Sequence, residues 1–350
     1  MAIVIFGFLI GIHEFGHFIT AKLFKMNVLE FAIGMGPAIF KKQGKSTLYS
    51  VRIFPLGGYC ALEGEDGDSN EEGSFNSRPV WQRVIVLMSG SLMNLLAGMV
   101  ILFILFSGID SYVTTRIAGF ASDFQYTGEN MLMPGDRITK INGYNIYLNA
   151  DIATFLEYDS GQPYDIEVER NGEKILIRNL PLEKQMYTYI GVDENGNEVE
   201  YQEERYGLIF AADDATFFNK IKLSLLNAVD FARFVKVSIF SLFSGNTNVS
   251  ELMGPVGIAT EITTTAQQSM STMWMFVALI AVNLAVMNLL PIPALDGGRI
   301  LFLIIGQIVL VLRGKPLNAK CEQVLNGVFL FALLGLMVYV SFNDIVRLVR

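Results

Sequence analysis

Four long apolar stretches constrain this chain more than any other feature of its sequence. They are residues 1–21, 84–109, 272–295 and 323–343. The last three contain no Asp, Glu, Lys or Arg, and the ionisable side chains of the first are His13, Glu14 and His17. A transmembrane helix needs about 20 consecutive apolar residues. The sequence therefore predicts a polytopic α-helical membrane protein with about four transmembrane helices.

The charged residues are concentrated between the second and third stretches. Residues 107–271 hold 23 acidic and 12 basic residues, and the rest of the chain holds 11 acidic and 14 basic residues, which together give the net charge of −8. This distribution predicts a soluble acidic region inserted into a membrane protein. The sequence has no basic stripe with interleaved aromatic residues, so no nucleic acid partner is expected. The only two cysteines, Cys60 and Cys321, provide no disulfide framework.

Lysine and arginine in short loops predict the orientation in the membrane, because such loops are mostly cytoplasmic. The loop after the first stretch contains Lys22, Lys25, Lys41, Lys42, Lys45, Arg52, Arg78 and Arg83, and the loop before the fourth contains Arg313, Lys315 and Lys320. Both loops should therefore face the cytoplasm. Both termini and residues 107–271 should then be extracytoplasmic.

The predicted outer region divides into three parts. Residues 112–185 alternate strand-like runs with turn signals, and residues 187–206 predict a hairpin around Asn195-Gly196. Residues 216–244 predict an amphipathic helix, which either packs on the outer domain or lies on the membrane surface. On the cytoplasmic side, the acidic residues 63–73 predict a solvated loop, since the spacing of calcium ligands in an EF-hand is absent.

The first apolar stretch carries a metal-binding pattern. His13 and His17 are the only histidines, and Glu14 stands between them in the sequence His-Glu-Phe-Gly-His. Residues four apart share one face of a helix, so both imidazoles can bind one zinc ion while the glutamate lies beside the water. Polar side chains are costly within a bilayer and usually mark function. A polar patch satisfied by neighbouring helices is the competing interpretation.

A catalytic zinc site usually has three protein ligands. Asp296 is the only acidic residue between Glu261 and Glu322, and it follows a segment that Pro291 and Pro293 should break. With the predicted topology, both halves of the site reach the cytoplasmic half of the membrane. Two alternatives remain open at this stage. Asp296 could pair with Arg299 at a helix end, or Cys60 could be the third ligand.

Several motifs together resemble the bacterial site-2 protease family, the RseP-type regulated intramembrane zinc metalloproteases. They are residues 13–17 (HEFGH), 31–37 (FAIGMGP), 54–59 (FPLGGY), 64–66 (GED), Asn94, residues 254–258 (GPVGI) and residues 288–298 (NLLPIPALDGG). The resemblance implies that His13, His17 and Asp296 bind Zn²⁺ and that Glu14 is the catalytic base. One motif departs from the family, because Gly90-Ser91 stands where Gly-Pro is common before the asparagine.

The resemblance also implies a domain order. It comprises a first transmembrane helix with the histidines (1–24), a cytoplasmic, membrane-associated β-hairpin loop (25–83), a second helix (84–109), one extracytoplasmic PDZ-like α+β domain (112–185), an extracytoplasmic hairpin and amphipathic helix (186–271), a third transmembrane element broken at its prolines (272–312), and a fourth helix (323–345). In this family the PDZ domain screens the size of substrates outside the membrane.

The function implied is hydrolysis of peptide bonds in or near the transmembrane segments of single-span membrane proteins, such as anti-sigma factors or remnant signal peptides. Asn288 or Asn94 is expected to hold the substrate backbone, and a strand edge within residues 47–54 to pair with the unwound substrate. A zinc transporter and a non-enzymatic PDZ membrane scaffold are the alternatives. A transporter would need polar residues lining a path on both sides of the site, and the lack of charge in spans two and four disfavours it. The scaffold leaves Glu14 unexplained.

Overall fold

The computed structural model describes residues 1–65, 71–122, 124–158, 163–192, 198–243, 253–314 and 319–349. The helices in these ranges are α1 (Ala2–Leu23), α2 (Val80–Ser107), α3 (Asn149–Tyr158), α4 (Phe217–Phe243), α5 (Pro255–Gln268), α6 (Met270–Leu289), α7 (Asp296–Arg313) and α8 (Ala319–Val349). The strands are β1 (Val28–Gln43), β2 (Leu48–Leu62), β3 (Ser111–Phe120), β4 (Arg137–Ile141), β5 (Tyr144–Asn145), β6 (Tyr164–Arg170), β7 (Glu173–Leu180), β8 (Gln185–Val192), β9 (Glu198–Arg205) and β10 (Leu208–Asp214). The chain forms two compact units, one of Met1–Leu105 with Phe231–Arg350 and one of Phe106–Asp230.

The four predicted transmembrane segments are all helices. Segments long and apolar enough to cross a membrane occur in α1, α2, α6 and α8 of the described chain. The prediction of a polytopic α-helical membrane protein is therefore confirmed. Helix α2 continues unbroken through Gly90 and Ser91, where the sequence departs from the family motif.

Helix α5 was not predicted as a separate element. It begins at Pro255, whose ring suits the first turn of a helix. Its buried Ile262 packs with Leu9 of α1 and Met273 of α6 in one apolar cluster. The segment preceding the third span therefore belongs to the helical unit.

The third predicted membrane element consists of two helices, with the break at its two prolines. Helix α6 ends at Leu289, and α7 begins at Asp296. Proline has no N–H for a helical bond and disfavours helix in the residue before it. Pro291 and Pro293 therefore hold a short loop between the two helices, and Asp296 lies at the start of α7.

Strands β1 and β2 form the predicted hairpin, but they pair in more than one register. Residues 30–33 pair with residues 58–61 on one side and with residues 48–51 on the other, and residues 40–43 also pair with 48–51. The segment 48–51 is thus paired on both sides, so the expected strand edge within residues 47–54 is not available over these four residues. Residues 58–62 instead form an outer strand of this sheet.

The second unit is built on a sheet with the strand order β10-β3-β4-β6-β7, to which β5 is added beside β4. All its described pairings are antiparallel. Helix α3 contributes Ile152, Phe155 and Leu156 to the core of this unit. The sheet extends beyond the predicted range 112–185, because β10 completes it. An α+β domain is therefore present, whereas its identity as a PDZ domain stays a prediction.

The predicted hairpin and amphipathic helix both form. Strands β8 and β9 pair in register from Gln185 opposite Arg205 onward, and the turn around Asn195-Gly196 lies outside the described residues. Helix α4 buries Ser224 and Asp230, while its apolar residues Phe217, Phe218, Ile221 and Leu225 are exposed. One face of α4 is therefore packed, and contact of its other face with a membrane surface stays a prediction.

Candidate active site

The two histidines lie close to Asp296 within the unit formed by Met1–Leu105 and Phe231–Arg350. His13 and His17 lie one turn apart on α1, and both are buried. Asp296 Oδ2 lies 3.1 Å from His13 Nε2 and 3.3 Å from His17 Nε2, and the two Nε2 atoms are 3.2 Å apart. These three atoms form a nearly equilateral triangle, and theirs is the one such His/Cys/Asp/Glu group within the described residues.

The triangle has the dimensions of a zinc site. Ligand atoms held tetrahedrally about 2.0–2.1 Å from zinc lie roughly 3.3–3.4 Å from one another. Asp296 Oδ2 is buried and makes no hydrogen bond of its own, although it lies close to both imidazoles. Two imidazole nitrogens and one carboxylate oxygen are also a donor set that catalytic zinc sites use. The residues present therefore fit a zinc ion with a fourth position left open.

The backbone of α2 orients His17. Its Nδ1 lies 2.8 Å from the carbonyl oxygen of Val86. A carbonyl oxygen only accepts, so Nδ1 carries the proton and Nε2 remains free to bind a metal. Contacts of this kind fix the tautomer of metal-binding histidines.

Glycine at position 90 leaves room for both imidazoles. A Cβ atom at Gly90 would lie 2.4 Å from His17 Nε2 and 2.8 Å from His13 Cε1. Any larger residue would displace the atoms that form the triangle. The glycine of the second-span motif is therefore explained by its contact with the histidines.

Asp296 is held by a tightly packed turn. Ala294, two residues earlier, has the left-handed φ of 74°, which costs about 1–2 kcal/mol for a residue with a Cβ atom. A Cβ atom at Gly297 or Gly298 would lie 2.2 Å from a backbone oxygen, so only glycine fits there. Arg299 forms an ion pair with Glu65. Asp296 therefore does not pair with Arg299, and that alternative is excluded.

Glu14 lies beside the triangle but outside it. The backbone N–H of Cys60, on the outer strand of the hairpin sheet, faces its carboxylate. A Cβ atom at Gly58 would lie 3.1 Å from Glu14 Cγ, so the strand passes very close to this side chain. Cys60 contributes no atom to the metal-binding group. Burial, followed by the charge of Glu14, raises the pKa of the Cys60 thiol to about 12.

A cavity of about 280 Å³ joins these groups to the two predicted asparagines. Asn94 and Asn288 line it together with His13, Glu14 and Asp296. Asn94 is 1% exposed, and its Oδ1 makes no hydrogen bond. Gly57 and Gly58 line the cavity from the side of the hairpin sheet. The structure thus brings all six predicted site residues to one place.

The family model described as "Peptidase family M50" matches residues 1–336. The chain belongs to peptidase family M50. The match covers the histidines, the hairpin, Asp296 and most of α8, so it includes every residue of the candidate site.

Full-length relatives agree with this membership. A protein of Fusobacterium nucleatum that is named as a candidate zinc metalloprotease is 35% identical, covering 99% of this chain and 98% of its own length. The regulator of sigma-W protease RasP of Bacillus subtilis is 27% identical, covering 99% and 97%. The zinc metalloprotease RasP of Geobacillus kaustophilus is 25% identical, covering 98% and 96%. The similarity therefore extends over the whole of each protein.

Four parts of this M50 site were missed by sequence reasoning. The Val86 carbonyl and the Cys60 N–H are backbone groups, so their residue types carry no signal. The outer strand at Gly58 was misplaced, because a strand edge depends on pairing that the sequence does not show. Asn326 on α8, whose Oδ1 accepts the N–H of Ala294 beside the site, did offer a signal, because polar residues are expensive in an apolar span.

Proposed function

We propose that His13, His17 and Asp296 hold the zinc ion of this M50 intramembrane metalloprotease and that Glu14 is its catalytic base. The observation that carries this proposal is the triangle of three buried ligand atoms with sides of 3.1–3.3 Å. Zinc supplies Lewis acidity there, which polarises a carbonyl group and makes hydroxide available near neutral pH.

Glu14 has the position and chemistry of a general base. It shares a cavity with two of the ligands and contributes no atom to the triangle. Its carboxylate can take a proton from the attacking water and later give it to the leaving amine. The N–H of Cys60 faces the carboxylate and favours its charged form, which is the form that acts as a base.

The outer strand of the hairpin sheet is the proposed docking edge for the substrate. A helical substrate must unwind to expose its scissile bond, and an unpaired strand edge can replace the hydrogen bonds that it loses. Residues 58–61 pair with β1 on one side, and their other side faces Glu14. Asn94 and Asn288, which also line the cavity, can bind the substrate backbone. We therefore assign the docking edge to residues 58–62 instead of residues 47–54.

The proposed substrates are single-span membrane proteins in the bacterial inner membrane. The α+β unit of Phe106–Asp230 is proposed to be an extracytoplasmic PDZ-like domain that screens their size. One relative is named a regulator of sigma-W protease, which favours anti-sigma factors as substrates over remnant signal peptides. Deleting residues 111–214 should leave cleavage of a short single-span substrate intact while allowing cleavage of one with a large outer domain. If the folded, zinc-loaded deletion variant cleaves neither substrate, the screening role is contradicted.

The decisive experiment uses the purified protein and a panel of single-span substrates in detergent or vesicles. Cleavage should occur without other proteins, stop on addition of a zinc chelator, and return when zinc is restored. Cleavage products should map to the membrane segment or its margins. Cleavage that persists after complete zinc removal, or transport of zinc into vesicles without any cleavage, would contradict the proposal.

A further inference from the structure

The loop that carries Asp296 has little regular structure of its own. Its two prolines have no N–H to donate. Leu290, Ile292 and Leu295 donate their N–H groups to carbonyl oxygens no more than three residues away. These local bonds shape the loop, but they do not attach it to an element that is distant in the sequence.

Ala294 makes the loop's long-range backbone contact. Its N–H donates to Oδ1 of Asn326 on α8 over 3.1 Å, across 32 positions of the chain. Ala294 also has a φ of 74°, a conformation that residues with a Cβ atom adopt only where their surroundings hold it. Asn326 of the fourth span therefore accepts a hydrogen bond from Ala294, the residue of the loop whose backbone is strained.

Asn326 is a polar residue in a strongly apolar helix. A window of 18 residues within Glu322–Leu348 of α8 has a mean hydropathy of 2.2. Polar side chains in such segments are retained where they bond to another part of the protein. Asp344 of α8 behaves in the same way, because its Oδ2 accepts the N–H groups of Gly254 and Gly257 over 3.0 and 2.8 Å.

We propose that Asn326 is a positioning residue for the zinc site. By holding the Ala294 N–H, it keeps the left-handed turn that places Asp296 Oδ2 against His13 and His17. This inference rests on the proposed zinc site. Ala294 and Asp296 line the same cavity and are separated by one residue, whereas Asn326 does not line it. Metal ligands tolerate errors of only about 0.2 Å, so a small change in this turn weakens the site.

The test compares substitutions on one helix in the purified full-length protein. Asn326→Leu keeps the size of the side chain but removes the acceptor, and Asn326→Asp restores an Oδ1 acceptor. Asn343→Leu is the matched control, because the Asn343 side-chain nitrogen is buried without a hydrogen bond. Zinc affinity is measured by competition with a chromogenic chelator, and ligand geometry by the visible absorption of the Co²⁺-substituted protein.

Asn326→Leu should weaken zinc binding at least about tenfold, the scale of losing a group that orients a ligand. It should also change the Co²⁺ spectrum and lower kcat with little change in KM. Asn326→Asp should recover most of the affinity, and Asn343→Leu should match the wild type. If Asn326→Leu fails to fold, Asn326→Ala takes its place in the same comparison.

Wild-type zinc affinity and spectrum in Asn326→Leu would overturn the positioning role. Equal losses in Asn326→Leu and Asn343→Leu would overturn it as well, because they would reflect packing of α8 in general. Absence of zinc binding in the wild-type protein would instead refute the zinc site itself. The failure of this inference and the failure of the proposed function are thereby distinguished.

Discussion

Gly16 of α1 lies directly against the backbone of Ser89 of α2, so that a Cβ atom at Gly16 would fall 2.4 Å from the Ser89 carbonyl oxygen. Small residues allow membrane helices to approach this closely. The contact lies one residue from His17 on α1 and one from Gly90 on α2. The close crossing of these helices thus sets the position of the histidines relative to the second span.

Gly16→Ala should therefore damage the site. An inserted methyl group that meets backbone atoms typically costs about 1–3 kcal/mol, and here it also displaces His17 from the Val86 carbonyl. Zinc content and the thermal unfolding midpoint should both fall. Gly11→Ala on the same helix is the control, since nothing lies within 4 Å of its added Cβ atom. Equal behaviour of the two variants would contradict the importance of this crossing.

Glu14→Gln should separate catalysis from metal binding. Glutamine is similar in size but cannot take a proton from water, so cleavage should be lost. Because Glu14 contributes no atom to the ligand triangle, zinc content should remain near one ion per chain. Elemental analysis and a cleavage assay on the same preparation measure both quantities. Normal turnover by this variant would remove Glu14 from the mechanism.

The topology can be tested by labelling engineered cysteines in intact cells. A variant with Cys60 and Cys321 replaced by serine provides the background. A membrane-impermeant reagent should label Glu173→Cys in the unit of Phe106–Asp230 and leave Lys45→Cys in the hairpin unlabelled until the cells are opened. Both positions are exposed, so burial does not account for a difference. The reverse labelling pattern would invert the proposed orientation.

A polar cluster holds the hairpin sheet together and should make its stability depend on pH. Glu30 accepts hydrogen bonds from Ser50 over 2.6 Å and from Arg52 over 2.8 Å. Burial by itself would raise the pKa of Glu30, but these donors outweigh it and lower the pKa to about 2.

The native pKa of Glu30 lies below its ordinary value of 4.5, so its contribution to stability is present above pH 4.5. This contribution should be lost as the pH falls from about 4.5 toward 2. The unfolding midpoint of the zinc-free protein should therefore decline more steeply over this range than that of Glu30→Gln. Parallel curves for the two proteins would contradict the role of this cluster.

The membrane helices were predictable because each depends on local composition. A predominantly apolar run of about 20 residues indicates a span by itself, and α1, α2, α6 and α8 follow the predicted segments. The strand arrangement was less predictable, because pairing joins distant segments. Nothing in the composition of residues 48–51 indicates that they lie between two neighbours, and nothing in residues 58–62 indicates an outer strand.

The site residues were predictable for a different reason. His13, Glu14 and His17 form a pattern that is meaningful on one helix, and Asp296 is the only acidic residue in a long apolar region. Their support was not predictable, because it comes from backbone groups and close approaches between helices. The Val86 carbonyl and the fit of Gly90 against the imidazoles require the three-dimensional packing of α1 and α2.

The zinc content of Asp296→Asn, with His13→Ala and Cys60→Ser purified in parallel, tests the central claim most directly. Asparagine keeps the size of aspartate but removes its charge, which makes it a much poorer zinc ligand. Zinc affinity and cleavage should fall at least about tenfold in Asp296→Asn, fall further in His13→Ala, and stay at the wild-type level in Cys60→Ser. Full zinc content and activity in Asp296→Asn, together with loss of both in Cys60→Ser, would contradict the proposed ligand set.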